Sequence, residues 1–344
     1  MPDKATISDV ARSAGVSTTA VSRWLNGSIR LPAATGERIR AAVSQLGYLP
    51  HAQARRLSRG KAEAIGVIVP DIANPFFALL AGEAERTAVA AGYDVVIWSS
   101  RNRIERELAC LDRLSAGYVD GILFITNHED DGRLAPRIRA AAGKVVIIDE
   151  DVPQTEAPKI FVDNDEGGYL ATRHLIEHGH RRIAHIGGPG GVMSAIERAR
   201  GWRRALEESD IALPADWRIC SEYEIEPARG ASARLLSLSP RPTAVFAGSD
   251  AIALGFMRAA RERGVRIPED ISLVGFDGMP INELLNPPLT SIAQPIESLG
   301  QLGAERLIAI IAGADAASAP EKPKRLSVSL VARGSVAPPR DADH

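Results

Sequence analysis

This chain of 344 residues has few cysteines and no long apolar run. Its two cysteines, Cys110 and Cys220, are isolated and form no C-x-x-C pair, which indicates buried thiols in a reducing cytosol. No apolar run approaches the roughly 20 residues that a membrane-spanning helix needs. The first 25 residues carry Asp3, Asp9 and Arg12 where a signal peptide needs an apolar block. We therefore expect a cytoplasmic protein with no membrane segment.

Signatures of catalysis, of metal binding and of dinucleotide binding are also missing. The stretch "GGPGG" (187–191) fits no G-x-G-x-x-G pattern, so we expect its glycines to let the backbone approach a ligand closely. His174 and His178 are four residues apart without an H-E-x-x-H motif, which favours a structural or surface role. No Ser or Cys can be paired with a base from its spacing. We predict no catalytic residue, no metal and no cofactor.

The overall charge of −2 conceals an asymmetry between the two ends of the chain. Residues 1–61 hold ten Lys or Arg against three acidic residues, a net charge of +7, so the remainder carries −9. A chain of this length also exceeds one ordinary hydrophobic core. A small basic head on a larger acidic body indicates a polyanion-binding module joined to a domain with another task.

Three short helices are predicted in the basic head. Thr6 and Asp9 have the spacing of a helix cap, and Gly15 ends the first helix. A second helix follows Ser17, and a third is predicted over Ala33–Leu46. The apolar side chains expected to face inward and form a small core are Ile7, Val10, Ala11, Ala14, Val21, Leu25, Ile39, Val43 and Leu46.

The stretch "VSTTAVSRWLN" (16–26) leaves Thr18, Thr19, Ser22 and Arg23 on the outer face of the second helix. Short hydroxyl side chains let a helix approach the floor of the major groove, and arginine is the usual reader of guanine. The alternative is a solvated surface helix whose hydroxyls serve only its cap. The pattern favours a DNA-reading helix in a helix-turn-helix.

From Ala64 onward, short apolar runs alternate with amphipathic segments, which predicts parallel sheets covered by helices on both faces. More than ten such strands exceed one comfortable sheet, so we expect two lobes. Ligands of open α/β sheets lie beyond the carboxyl ends of the strands. The candidate ligand-binding residues at these positions are Phe76, Phe77, Asp149, Arg198, Ser249 and Asp277.

This set of carboxylates, one arginine and aromatic rings suits a sugar or another polyol. Phe77 could equally belong to the core, and Asp250 is better explained as a helix N-cap than as a ligand group. Asp149 and Asp277 are harder to explain structurally, since acidic residues are rarely buried without partners.

Segments along nearly the whole chain resemble the LacI/GalR family of bacterial transcription regulators. The segments that carry the resemblance, in family order, are "TISDVARSAGVSTTAVSRWLNG", "ERIRAAVSQLGYLPHAQARRLSRG", "AIGVIVPDIANPFFALL", "VDGILFI", "HRRIAHIGGP", "ERARGW", "AVFAGSDAIALGFMRA", "ISLVGFDG" and "LTSIAQPIESLG". The resemblance implies an all-α helix-turn-helix head and an α/β, two-lobed, periplasmic-binding-protein-like body with doubly wound parallel sheets.

The resemblance also implies roles for residues of the head. The family's base-reading positions fall on Thr18, Thr19 and Arg23, and its phosphate contacts on Thr6, Ser17 and the region of Asn26. In "HAQARRLSRG" it implies a hinge helix whose Leu57, with Ala54 one turn earlier, enters the minor groove as an apolar wedge. An ordinary linker is the alternative for this segment. Pro32 and Gly36 depart from the family, which usually has a Ser cap and a polar residue there.

The resemblance divides the chain into a DNA-binding domain (1–50), a hinge helix (51–61) and an effector-binding and dimerisation domain (62–340). Its first lobe is expected at about 62–162 and 292–324, and its second at about 163–291 and 325–340, ending on one strand, "RLSVSLVAR". The Pro-rich end "GSVAPPRDADH" forms no coiled coil, so we expect a homodimer.

We therefore expect a cytoplasmic, nucleoid-associated repressor that binds double-stranded operator DNA and responds to a neutral sugar. Ile225 and Ile296 stand where family members often have an aromatic residue, so stacking from Phe76 alone indicates a monosaccharide. A nucleobase, a sugar phosphate or a partner protein remains the alternative effector. A sugar-processing enzyme is disfavoured by the basic head, and a periplasmic binding protein would have no use for residues 1–61.

Overall fold

The computed structural model describes residues 5–26, 28–48, 61–314 and 322–340, which fall into two compact units, 1–63 and 64–344. The predicted hinge residues Ala54 and Leu57 lie outside the described residues. None of the described helices is long and apolar enough to cross a membrane.

The first unit contains three helices: α1 (Ile7–Ala14), α2 (Thr18–Leu25) and α3 (Ala33–Leu46). The α1 helix begins in a capping box, in which the amide of Asp9 donates to the Thr6 hydroxyl and the amide of Thr6 to the Asp9 carboxylate. It ends at Gly15, whose φ of 67° turns the chain into α2.

The core of this unit contains the predicted side chains apart from Leu46, although Ile7, Leu25 and Val43 are only half-buried. Val10, Val21 and Ile39 are fully buried, as expected, but Leu46 is 37% exposed. Tyr48, just beyond the end of α3, is buried in its place. Leu46 was assigned from helical spacing alone, which does not register that the chain turns back after Gly47 (φ 61°).

The second unit is a two-lobed α/β body. Its elements up to the first crossing between the lobes are β1 (Ala64–Val69), α4 (Pro75–Ala90), β2 (Asp94–Ser99), α5 (Ile104–Ser115), β3 (Gly121–Phe124), α6 (Leu134–Ala140), β4 (Val145–Ile148) and β5 (Lys159–Val162). These strands belong to one six-stranded parallel sheet in the order β2-β1-β3-β4-β5, completed by a strand from near the end of the chain. Its central strands are buried on both faces, as their runs of β-branched residues require.

The second lobe repeats this architecture. Its elements are α7 (Asn164–Glu177), β6 (Ile183–Gly187), α8 (Met193–Glu207), β7 (Arg218–Cys220), α9 (Ile225–Leu235), β8 (Ala244–Ala247), α10 (Asp250–Glu262), β9 (Ser272–Asp277) and β10 (Thr290–Ala293). The sheet has the order β10-β9-β8-β6-β7, with one antiparallel strand added beside β10.

The chain then returns to both lobes. Helix α11 (Ile296–Ile311) packs in the core of the first lobe. The single strand predicted over residues 325–333 is wrong, because two strands occupy this region. Strand β11 (Lys324–Leu326) pairs with β5 in the first sheet, and β12 (Ser329–Val331) pairs with β10 in the second. The carboxyl ends of both sets of parallel strands border the space between the lobes.

Candidate functional site

One cleft between the two lobes is lined by all six residues that were predicted to bind a ligand. Its cavity volume is about 20 Å³. Phe76 and Phe77 come from the first turn of α4, Asp149 follows β4, and Asp277 ends β9. Five further residues, not predicted from the sequence, also line the cleft: Asn74, Asn127, Ser194, Tyr223 and Gln294.

Close packing of α8 against α7 brings Arg198 into the cleft. A Cβ atom at Gly168 would lie 2.2 Å from the Arg198 carbonyl oxygen, and one at Gly201 would lie 1.9 Å from the carbonyl oxygen of Asp165. Only glycine lets the two helix backbones approach this closely. Arg198 therefore projects from the second turn of α8 at a fixed depth.

The guanidinium of Arg198 is held on three sides and is 3% exposed. Its Nε donates to the side-chain oxygen of Asn164 at 2.8 Å, and its Nη1 donates to the carbonyl oxygen of Gly248 at 2.6 Å. Its central carbon lies 3.7 Å from the centre of the Phe276 ring, which is cation–π contact distance. These contacts fix the orientation of the guanidinium.

Asp149 and Asp277 face Arg198 from opposite lobes, and both adopt backbone conformations with positive φ, 71° and 121°. Such conformations are costly for non-glycine residues and cluster at functional sites. Burial raises the pKa of Asp149 against the opposing effect of Arg198. Burial and the nearby Asp250 raise the pKa of Asp277 to about 8, again against Arg198, whose Nη1 lies 4.0 Å from Asp277 Oδ1.

Hydrogen-bond acceptors in the cleft are not all satisfied. Asp277 accepts from the side-chain amide of Gln294 at 2.8 Å. Within the described part of the chain, Asp149 Oδ1 and Gln294 Oε1 are buried without a hydrogen-bond partner. A buried acceptor without a donor lowers stability by about 1–3 kcal/mol. A ligand that donates hydrogen bonds to these atoms would remove this cost.

The interpretation of Asp250 as an N-cap is wrong. The cap is Ser249, whose hydroxyl accepts from the amide of Ile252 at 3.1 Å, although Ser249 also lines the cleft as predicted. The Asp250 carboxylate instead holds the loop after β9. It accepts from the Met279 amide at 2.8 Å and from the side chains of Asn282 and Ser291, each at 2.7 Å.

Aromatic rings cover one side of the cleft. Phe76 and Phe77 pack edge to face at 5.2 Å and belong both to the core of the first lobe and to the cleft wall. The expectation that Phe76 alone supplies stacking is wrong, because Tyr223 also lines the cleft. Tyr223 follows the three-residue strand β7, which is too short to stand out in the sequence.

Gly188 in "GGPGG" makes room for this tyrosine. A Cβ atom at Gly188 would lie 2.2 Å from Cζ of Tyr223, so a larger residue would displace the ring. The expectation that these glycines admit a ligand is therefore corrected for Gly188, which admits Tyr223.

The second candidate surface is the outer face of α2. Ser17 caps this helix by accepting from the Ala20 amide at 3.1 Å, and Val21 is fully buried. Thr18, Thr19 and Arg23 are exposed, whereas Ser22 is half-buried. Thr6 is exposed in its capping box, and Asn26 ends α2. Three of the four residues predicted on the outer face of α2 therefore face solvent, and Ser22 does so only in part.

The two departures in α3 have different structural consequences. Pro32 provides no side-chain hydrogen bond to the start of the helix. Gly36 is buried, and a Cβ atom there would lie 3.2 Å from Nε1 of Trp24. The small residue in α3 therefore accommodates the tryptophan of α2.

Two family models match separate parts of the chain. A family model described as "Bacterial regulatory proteins, lacI family" matches residues 6–51, and one described as "Periplasmic binding protein-like domain" matches residues 172–336.

Similar proteins extend over most of the chain. The HTH-type transcriptional repressor PurR of Vibrio atlanticus is 36% identical over 304 residues, 88% of this chain and 91% of that protein. The ribose operon repressor of Halalkalibacterium halodurans is 37% identical over 307 residues, 88% of this chain and 89% of that protein. A crystal structure of the lac repressor dimer bound to operator and the anti-inducer ONPF has a TM-score of 0.83 at 30% identity, covering 97% of this chain and 100% of that one.

Proposed function

Since the chain belongs to the LacI family of DNA-binding transcriptional repressors, we propose that its effector is a small neutral polyol, a monosaccharide, bound in the cleft between the lobes. The protein is a regulator rather than an enzyme, as are its relatives. One of these relatives is a ribose operon repressor.

The observation that carries this proposal is the pair of buried acceptors without donors, Asp149 Oδ1 and Gln294 Oε1. Sugar hydroxyl groups are donors that can satisfy both atoms. A phosphate dianion has only acceptor oxygens, so it cannot donate to either of these atoms. Desolvating an anion in such a site carries a large penalty that one arginine does not offset.

The side chains that line the cleft have the chemistry that a single sugar ring requires. The rings of Phe76, Phe77 and Tyr223 offer an apolar surface for the C–H face of a sugar, while Arg198 and the carboxyls offer polar groups.

We further propose that the DNA-binding residues are those predicted from the sequence. Thr18, Thr19, Ser22 and Arg23 would contact base edges in the major groove. The phosphate contacts would come from Thr6, Ser17 and Asn26, close to the amino ends of α1 and α2 or to the end of α2. The minor-groove roles of Ala54 and Leu57 concern residues outside the described ranges.

A homodimer is the assembly that we propose for operator binding. The edge strand β2 exposes Val96 (38%) and Ile97 (42%), and the loop after β9 exposes Leu284 (80%). Apolar side chains of this size on the body are available for contact with a second copy. Two heads would then meet the two half-sites of a near-palindromic operator.

The proposed effector is tested by titration calorimetry of the full chain with neutral monosaccharides, their phosphate esters and purine bases. We expect one neutral monosaccharide to bind and the phosphate esters to bind at least about tenfold more weakly, a difference of about 1.4 kcal/mol. Asp149→Asn should weaken sugar binding about tenfold or more, since one buried acceptor becomes a donor. Asp216→Asn, an exposed change of the same charge, is the control. Binding of a sugar phosphate or a purine with no response to any neutral sugar would refute the proposal.

A further inference from the structure

Glu150, the residue after Asp149, lies at the boundary between the lobes and is only 1% exposed. It follows β4 of the first lobe, yet its carboxylate rests on the first turn of α8 in the second. The Ser194 amide donates to Glu150 Oε1 at 3.0 Å, and the Ser194 hydroxyl donates to Oε2 at 2.6 Å. The contact therefore joins the two lobes beside the cleft.

The first turn of α8 has the properties of an anion site. The helix has 15 residues, and Val192, which precedes it, has no side-chain group that can cap it. Free amide groups and the helix dipole make such an end attractive to negative charge. Ser194 and Arg198, both on this helix, line the cleft. A ligand anion in the cleft could bind to both of these groups if they did not already have hydrogen-bond partners.

We propose that Glu150 is a specificity-determining residue: its carboxylate is an internal anion that occupies the N-terminal turn of α8, so that the cleft selects neutral over anionic effectors. The inference rests on the proposed function, because it concerns the choice of ligand at the same site. It assigns the rejection of anions to a residue that does not itself line the cleft.

Tyr223 connects this contact to the ligand side. Its hydroxyl lies 2.8 Å from Ser194 Oγ, and since that serine donates its proton to Glu150, it accepts from Tyr223. The negative charge on Glu150 thus fixes the direction of both hydrogen bonds, from Ser194 to Glu150 and from Tyr223, which lines the cleft, to Ser194. An anion entering beside Ser194 would find that hydroxyl already committed and a carboxylate directly behind it.

The surroundings of Glu150 also indicate that loss of its charge is tolerated. Burial and the neighbouring Asp149 raise the pKa of Glu150 to about 7, while the hydrogen bonds from Ser194 and the charge of Arg198 act in the opposite direction. The neutral side chain is therefore well populated near neutral pH. Glu150→Gln keeps the shape and an acceptor oxygen for the Ser194 amide, so it removes the charge with little other change.

The test compares wild type, Glu150→Gln and Glu150→Ala as full chains at pH 8, where Glu150 is largely ionised. Calorimetric titrations use ribose, glucose, ribose 5-phosphate, glucose 6-phosphate and inorganic phosphate. We expect both variants to bind at least one phosphate probe about tenfold or more tightly than wild type does. Neutral sugar affinity in Glu150→Gln should stay within about threefold. Glu129→Gln removes a charge beside Gly191, near the same helix end but outside the cleft lining, and should leave both affinities unchanged.

The outcomes separate the two proposals. If thermal unfolding shows both variants folded and neither gains affinity for any phosphate probe, the role of Glu150 is refuted even if wild type binds a neutral sugar. If wild type binds a phosphate probe and no neutral sugar, the proposed function and the role of Glu150 both fail. If no neutral sugar binds wild type but the variants gain phosphate affinity, the role of Glu150 stands and the proposed function fails.

Discussion

Arg198→Ala is expected to lower the free energy of unfolding of the body by about 3–5 kcal/mol at pH 8.5, above the pKa of about 8 of Asp277. This is the usual cost of leaving a buried charge without its partner. The substitution removes the positive charge facing Asp149 and Asp277 and the ring contact with Phe276. It also leaves the buried side chain of Asn164 and the carbonyl of Gly248 without their donors. We expect effector binding to be lost as well.

The pH dependence of this effect has a definite sign. Arg198 lowers the pKa of both Asp149 and Asp277, so its removal raises their folded-state values further above the unfolded ones. An acid with a raised folded-state pKa contributes stability below its unfolded pKa and loses it as the pH rises through the folded one. The deficit of Arg198→Ala should therefore grow between pH 5.5 and pH 8.5.

Urea unfolding of the full chain at these two pH values measures both effects. Arg200→Ala is the matched control, since it lies on the same helix with a side chain that is 61% exposed. Its ion pair with Asp165 should be worth less than about 1 kcal/mol. Arg198→Lys keeps the charge but not the planar fork, and it should fall between the two. An Arg198→Ala protein within about 1 kcal/mol of wild type at pH 8.5 would contradict this interpretation of the cleft.

Arg23→Ala is expected to reduce discrimination between operator and random DNA by about 1–3 kcal/mol, the value of one good bidentate base contact. Arg23 is exposed on the same face of α2 as Thr19, one helical turn away. A base contact affects one base pair of the operator, whereas a phosphate contact affects all sequences alike. The preference lost should therefore map to one position in each half-site.

Fluorescence anisotropy at fixed salt measures this, with an operator obtained by in vitro selection, single-base variants of it, and random DNA. Arg38→Ala on α3 is the control and should weaken binding to every sequence to a similar extent. An unchanged ratio of operator to random affinity in Arg23→Ala would show that α2 does not read the sequence through this residue.

The head could be predicted closely from the sequence because its signals are local. Thr6, Gly15 and Ser17 each set a helix end through contacts within a few residues, and these contacts are present. Leu46 is the exception, since its exposure depends on the turn at Gly47 and on Tyr48 taking the core position. Spacing along a helix cannot tell which of two nearby apolar side chains the rest of the core accepts.

The body was predictable where strands are continuous buried apolar runs, and not where they have only three, partly exposed residues. β1 and β4 are continuous apolar runs, whereas β7, β11 and β12 have three residues each. β11 and β12 belong to different sheets because β11 pairs with β5 and β12 pairs with β10, and both partners are distant in the sequence. No local pattern in residues 324–331 carries that information.

Only part of the cleft could be predicted, because only some of its residues follow strands that the sequence reveals. Asp149, Ser249 and Asp277 lie at the ends of recognisable strands, where ligands of α/β sheets bind. Predicting Tyr223 requires recognising the three-residue strand β7, and predicting Ser194 requires the exact start of α8. Gln294 directly follows β10, so the strand-end rule would have identified it had that strand been recognised.

The central claim is that a neutral monosaccharide in the cleft controls DNA binding. Its most direct test is the affinity of the full chain for its operator, measured by fluorescence anisotropy with and without a saturating sugar that binds by calorimetry. We expect the operator dissociation constant to change about 5- to 150-fold, a coupling of about 1–3 kcal/mol, and Asp149→Asn to respond only at much higher sugar concentrations. An operator affinity that stays the same in wild type at saturating sugar would contradict the claim.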